Sequence, residues 1–181
     1  MTNLISKYTI LSIGLIFQMV FLSCNFDKQA ETATVPLIPV ADFFKNPEKS
    51  AFKLSPDGDK IAFMKPWQQR MNIHVQVIGQ DGEQQITSAT ERDIAGYMWA
   101  NDNRLVYVQD KGGDENYRLY AVDADGSNNK LLTPFDGIQV RLIDPLTEQP
   151  DHMIISMNLR DKSYFDAYRI EINTGEVTLI G

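Results

Sequence analysis

Ile61-Ala62-Phe63-Met64 is answered 44 residues later by Leu105-Val106-Tyr107-Val108. Ile73-His74-Val75-Gln76-Val77 is answered at the same offset by Tyr117-Arg118-Leu119-Tyr120-Ala121, and Asp81-Gly82 by Asp125-Gly126. A looser third copy follows in Met153-Ile154-Ile155-Ser156, Tyr168-Arg169-Ile170-Glu171-Ile172 and Thr174-Gly175. A repeat of about 40–45 residues holding four short strands is the pattern of a β-propeller blade. The sequence therefore predicts an all-β fold of about three four-stranded antiparallel blades, an incomplete propeller.

Working outward, blade one spans about residues 50–88, with strands near 51–54, 60–64, 72–78 and 84–87. Blade two spans about 94–133, with strands near 96–99, 104–109, 117–123 and 130–133. Blade three spans about 138–181, with strands near 139–143, 152–157, 167–172 and 176–180. Asp57-Gly58, Asp81-Gly82 and Asp125-Gly126 mark tight turns, where positive φ must be accepted. The second strand of each blade is apolar on both faces, as a strand sandwiched between neighbours should be. The third strand of blade one alternates, with Ile73, Val75 and Val77 on one face and His74 and Gln76 on the other. Trp67 falls in a loop and Trp99 in the core. The one helical expectation covers Phe43–Asn46, after Asp42 and stopped by Pro47.

The first 24 residues read differently. Lys7 is the only charge before an apolar run from Ile10 to Leu22, which ends in Leu22-Ser23-Cys24. A basic start, a short apolar stretch and a small residue before the cut make an export signal. A small residue followed by the chain's single cysteine is similar to a bacterial lipobox. The expectation is a lipoprotein signal peptide over 1–23, with 24–37 as the lipidated Cys24 and a polar tether, and 38–181 as the partial propeller. Several acyl chains on Cys24 would hold the protein on a membrane, so the predicted location is exported and membrane-anchored, facing the periplasm or cell exterior. Removing residues 1–23 from 181 leaves 158 and takes Lys7 away, moving the net charge from −7 to −8.

Composition excludes whole classes. Hydrophobic residues at 43% and charged residues at 23% fit a folded chain rather than a disordered one. The negative charge argues against nucleic acid as a partner, because phosphates need a basic face. One cysteine and two histidines give no basis for a disulfide or a zinc site. None of the eleven glycines stand two, four or five apart, which removes the dinucleotide fingerprint, the nucleophile elbow and the P-loop. Asp123-Ala124-Asp125-Gly126-Ser127-Asn128 lacks the glycine and glutamate of a calcium loop and reads as a turn. Catalytic, cofactor and metal residues are all predicted as none.

Two stretches carry a family resemblance: Ser55-Pro56-Asp57-Gly58-Asp59-Lys60-Ile61-Ala62-Phe63, and Tyr117 through Gly126 to Leu132-Thr133. They resemble WD-like repeats of the Tol-system periplasmic propeller protein and of prolyl oligopeptidase-family serine peptidases of the dipeptidyl and acylaminoacyl type. Asp42–Lys49, Arg70–Ile73 and Asn158–Asp161 favour the peptidases. The resemblance covers about residues 38–181. It implies a propeller that caps a C-terminal α/β-hydrolase domain and gates oligopeptide access, and that domain's triad residues have no counterpart in these 181 residues. The alternative is a stand-alone periplasmic lipoprotein that binds peptide or protein through one propeller end.

Strand direction places the loops between second and third strands, and the connectors between blades, at one common end. Trp67, Arg70, Arg92, Asp114, Glu115 and Arg160 gather there as the candidate interaction face, and their mixed signs suit a peptide or protein ligand. An open arc also leaves sheet faces uncovered, which favours self-association.

Overall fold

The computed structural model describes residues 37–180. The expected signal peptide over 1–23, Cys24 and nearly all of the expected tether lie outside the described residues. Among the described residues no helix is long and apolar enough to cross a membrane.

The described residues divide into two units, 37–43 belonging to one and 44–180 to the other. Val40–Phe44 is a 3-10 turn rather than the expected helix at Phe43–Asn46. Its turn bond runs from the Asp42 amide to the Pro39 carbonyl at 2.9 Å, and Pro47 closes the α region to Asn46.

The second unit holds three four-stranded antiparallel sheets. The first comprises β1 (Ser50–Leu54), β2 (Lys60–Trp67), β3 (Arg70–Val77) and β4 (Gln84–Gln85). The second comprises β5 (Gly96–Trp99), β6 (Arg104–Gln109), β7 (Arg118–Asp123) and β8 (Lys130–Leu131). The third comprises β9 (Val140–Asp144), β10 (His152–Met157), β11 (Asp166–Glu171) and β12 (Val177–Leu179). Each sheet runs in chain order as a meander, which is the blade architecture the repeat predicts.

Pairing register refines the repeat. Lys60 pairs with Val77, and Arg104 with Asp123. Ile73 and Leu119 play matching parts. Their amides donate to the Thr87 and Thr133 hydroxyls at 2.9 and 2.8 Å. Their carbonyls accept from Ile86 and Leu132 at 2.9 and 2.8 Å. The second strands thus repeat at 44, but the third and fourth at 46. The cause is the connection between second and third strands. In blade one Trp67 is not in a loop but ends β2, paired with Arg70 across a two-residue turn. Gln68 and Gln69 take that turn at φ 47° and 64°, the geometry a tight hairpin demands. In blade two residues 110–117 replace it with an open loop.

Two cores hold the arc together. Ala62, Met64, Ile73 and Val75 of blade one pack on Tyr97, Trp99, Leu105 and Tyr107 of blade two. The opposite face of blade two, with Val106, Leu119 and Ala121, packs on Met153, Ile155, Met157, Tyr168 and Ile170 of blade three. Trp99 is core, as expected, and its indole N–H donates to the Lys53 carbonyl at 3.0 Å. The Tyr97 hydroxyl donates to the Ala51 carbonyl. Both bonds stitch β5 to β1, the first strands of neighbouring blades.

The polar-looking face of β3 is covered. His74 is 6% exposed and stacks on Phe63 at 5.9 Å, and Phe52 lies 5.4 Å beyond Phe63. Lys49 stands over the Phe63 ring at 4.4 Å and pairs with Glu83 at 2.6 Å, and Lys65 also pairs with Glu83. The two lysines hold the Glu83 carboxyl down at about 2, while burial lowers the His74 imidazole below its ordinary 6.5. Both shifts make acid destabilising. Glu83's contribution is present above its ordinary carboxylate range and is lost as pH falls toward 2. His74 folds uncharged, so its penalty grows as pH falls below about 6.5. Melting temperature is therefore expected to fall in two stages on acidification. His74→Gln removes the upper stage and Glu83→Gln the lower. Unchanged profiles in both variants would contradict this.

Candidate functional site

The end that joins second to third strands carries the six predicted residues in separate pairings rather than one constellation. Trp67 and Arg70 face each other across the β2–β3 hairpin, both half-buried. Arg92, in the connector to blade two, donates through Nε to Asp110 Oδ1 at 3.0 Å, and that carboxylate raises its pKa. Asp110 is buried, and its Oδ2 has no hydrogen-bond partner among the described residues. Asp114 serves its own loop, accepting from the Lys111 and Asn116 amides at 3.2 and 3.0 Å, which lowers its pKa. Glu115 adopts φ 56°, and its carbonyl accepts from Gln139 at 3.1 Å. Arg160 forks onto Asp166 with bonds of 3.0 and 2.7 Å. Arg92, Asp114 and Arg160 are thus engaged in holding loops in place, whereas the side chains of Trp67, Arg70 and Glu115 make no hydrogen bond or ion pair among the described residues.

The opposite end holds a feature the sequence reading passed over. Turns between first and second strands, and between third and fourth, enclose a groove of about 910 Å³. Its apolar strip comes from Val75, Val77, Ala124 and Pro150. Arg104 anchors one wall. It is 7% exposed, ion-paired with Asp123, and donates from Nε to the Ile172 carbonyl of blade three at 3.2 Å. Gln84 of blade one donates to the Asp125 carbonyl at 2.6 Å, and Lys130 of blade two to the Asn173 carbonyl at 3.0 Å. Such bonds between successive blades fix the groove's shape. The signal was visible in the Asp-Gly pairs, which read only as turns.

Among the described residues no group of three or more His, Cys, Asp or Glu side chains is placed to hold a metal ion. The 123–128 segment closes on itself as a turn: Asp123 accepts from Arg104 and Asn128, and Asp125 from Ser127.

Repeated four-stranded meanders, stitched face to face and edge to edge, define the chain as a β-propeller protein. Its relatives then give the kind of propeller. The chain is 30% identical over 150 residues to dipeptidyl aminopeptidase BIII of Pseudoxanthomonas mexicana, covering 82% of the chain and 22% of that protein. It is 24% identical over 158 residues to dipeptidyl peptidase family member 6 of Caenorhabditis elegans, covering 82% and 21%. The chain thus spans about a fifth of the length of the curated relatives it matches. No protein-family model matches it.

Among solved structures, the fold is similar to a TolB-like protein of Agrobacterium tumefaciens at a TM-score of 0.55 and 16% identity, covering 75% of this chain and 50% of that one. It is also similar to the β-propeller domain of the Trilobed protease of Pyrococcus furiosus (0.53, 19%, 74% and 43%) and to an acylaminoacyl peptidase of Pyrococcus horikoshii (0.52, 19%, 75% and 25%). In sequence and fold together, the chain resembles the propeller part of prolyl oligopeptidase-family peptidases.

Proposed function

We propose that this chain serves as the non-catalytic propeller portion of an exported, lipid-anchored serine peptidase of the prolyl oligopeptidase family. In this reading an α/β-hydrolase domain supplies the Ser-Asp-His triad, and the propeller limits access to short peptides. The observation that carries it is the 30% identity to a dipeptidyl aminopeptidase over 150 residues, in a chain whose described residues from Ser50 to Leu179 form three propeller blades. Cys24 carries the lipid, as its position after the apolar run supports. The membrane is then a partner through that lipid alone.

The test is recovery of the chain from the envelope of its source cells with an antibody against residues 94–133, followed by treatment with a fluorophosphonate probe. The expected result is a probe-labelled serine hydrolase in the recovered material, either on the same polypeptide or bound to it. Recovery without any labelled species would overturn the peptidase reading and leave the stand-alone binding lipoprotein. In that case alanine at Trp67 and Arg70 should abolish partner capture.

A further inference from the structure

The groove at the end opposite the candidate interaction face is shaped by bonds between blades, and its walls are acidic. Asp81, Asp102 and Asp125 are exposed on its rim. The first two carboxylates make no hydrogen bond or ion pair with any described residue. Asp125 accepts from the Ser127 hydroxyl at 2.6 Å and amide at 2.9 Å, which lowers its pKa. The other lining charges are engaged: Arg104 pairs with Asp123, Glu83 with two lysines, and Lys60 with the Asp102 carbonyl at 3.2 Å and the Asp57 carboxylate at 3.6 Å. Three carboxylates without an ion-pair partner among the described residues therefore surround a strip of Val75, Val77, Ala124 and Pro150. Val75 is buried at the floor of the strip, and Val77, 37% exposed, is where it opens to the surface. Unpaired carboxylates around exposed apolar surface match a ligand that alternates cationic and apolar groups.

We infer that this groove is a docking site for an extended basic peptide segment, with Lys or Arg side chains on Asp81, Asp102 and Asp125 and an apolar residue between them on Val77 and Ala124. This is independent of the peptidase reading, because the groove lies at the other end of the blades from the predicted face and needs no hydrolase.

The test is fluorescence anisotropy of the full chain with labelled Lys-Val-Lys-Val-Lys, Glu-Val-Glu-Val-Glu and Lys-Gly-Lys-Gly-Lys. The first peptide should saturate, weaken as salt rises, and bind more tightly than the other two. Asp81→Asn with Asp102→Asn should weaken it roughly five- to tenfold, the worth of two exposed ion pairs. These two side chains make no structural bonds, so the variant should fold normally. Val77→Ser should remove the preference for valine over glycine, and Glu91→Gln, at an exposed position in the connector at the other end, should change nothing. Binding unchanged in the double variant, or equal binding of the acidic peptide, would overturn the assignment. Equal binding of the glycine peptide would reduce it to surface charge and overturn the groove.

Discussion

Gly175→Ala is expected to cost about 3 kcal/mol or more of stability, among the largest effects of any single methyl in this chain. Gly175 sits in the turn between β11 and β12 at φ +84°, where an L side chain is already strained. A Cβ there would also lie 2.7 Å from the Leu132 carbonyl oxygen. Leu132 cannot yield, because it is 1% exposed in the core between blades two and three and its amide is bonded to Leu119. The same turn one blade earlier repeats the contact less tightly, since a Cβ on Gly126 would lie 3.4 Å from Ile86 Cα. Gly58, at φ +77°, has nothing within 4 Å. Gly58→Ala should therefore cost only about 1 kcal/mol, the backbone share alone. Urea denaturation of the three variants should rank them 175, 126, 58. Equal losses would show that the blades do not meet at these turns.

Asn72→Ala is expected to cost a similar amount, about 3 kcal/mol, for a different reason. Asn72 is fully buried, and its amide ties four groups together. Its Oδ1 accepts from the Thr87 hydroxyl at 3.0 Å and the Ala89 amide at 2.7 Å. Its Nδ2 donates to the Arg70 and Ala89 carbonyls at 3.1 and 3.0 Å. Removing it strands an amide and two carbonyls where β3 meets the connector to blade two. Leaving buried polar groups unpaired costs more than the bonds themselves contribute. Asn72→Asp should be no milder, since it buries a charge and loses both donor bonds. Thermal melts of the two variants check this, and wild-type stability in Asn72→Ala would show that the connector does not depend on the network.

Much of this fold is written in local pattern. Strand alternation, Asp-Gly turns and a shared offset locate all twelve strands to within a few residues, because each hairpin is closed by residues near in sequence. What the pattern hides is set by contacts between blades. Alternation at His74 shows that it lies opposite Ile73 and Val75, but not that Phe63 stacks on it or that the Lys49–Glu83–Lys65 cluster lies against it. Gly175 reads as a turn glycine like Gly58, and only the neighbouring Leu132 separates them. The site was less legible for the same reason. Arg92 and Arg160 look like free charges in sequence, yet each is spent on a carboxylate at or near a strand end. The groove draws its lining from turns scattered over the three blades, which no single motif announces.

These blades are read as the propeller part of a peptidase-like protein. Reading the genomic DNA that follows the Gly181 codon, in all three frames, tests it most directly. Further four-stranded repeats of about 44 residues are expected there, followed by a G-x-S-x-G elbow within an α/β-hydrolase pattern. Finding neither repeats nor elbow in any frame, with no hydrolase gene adjoining, would contradict it.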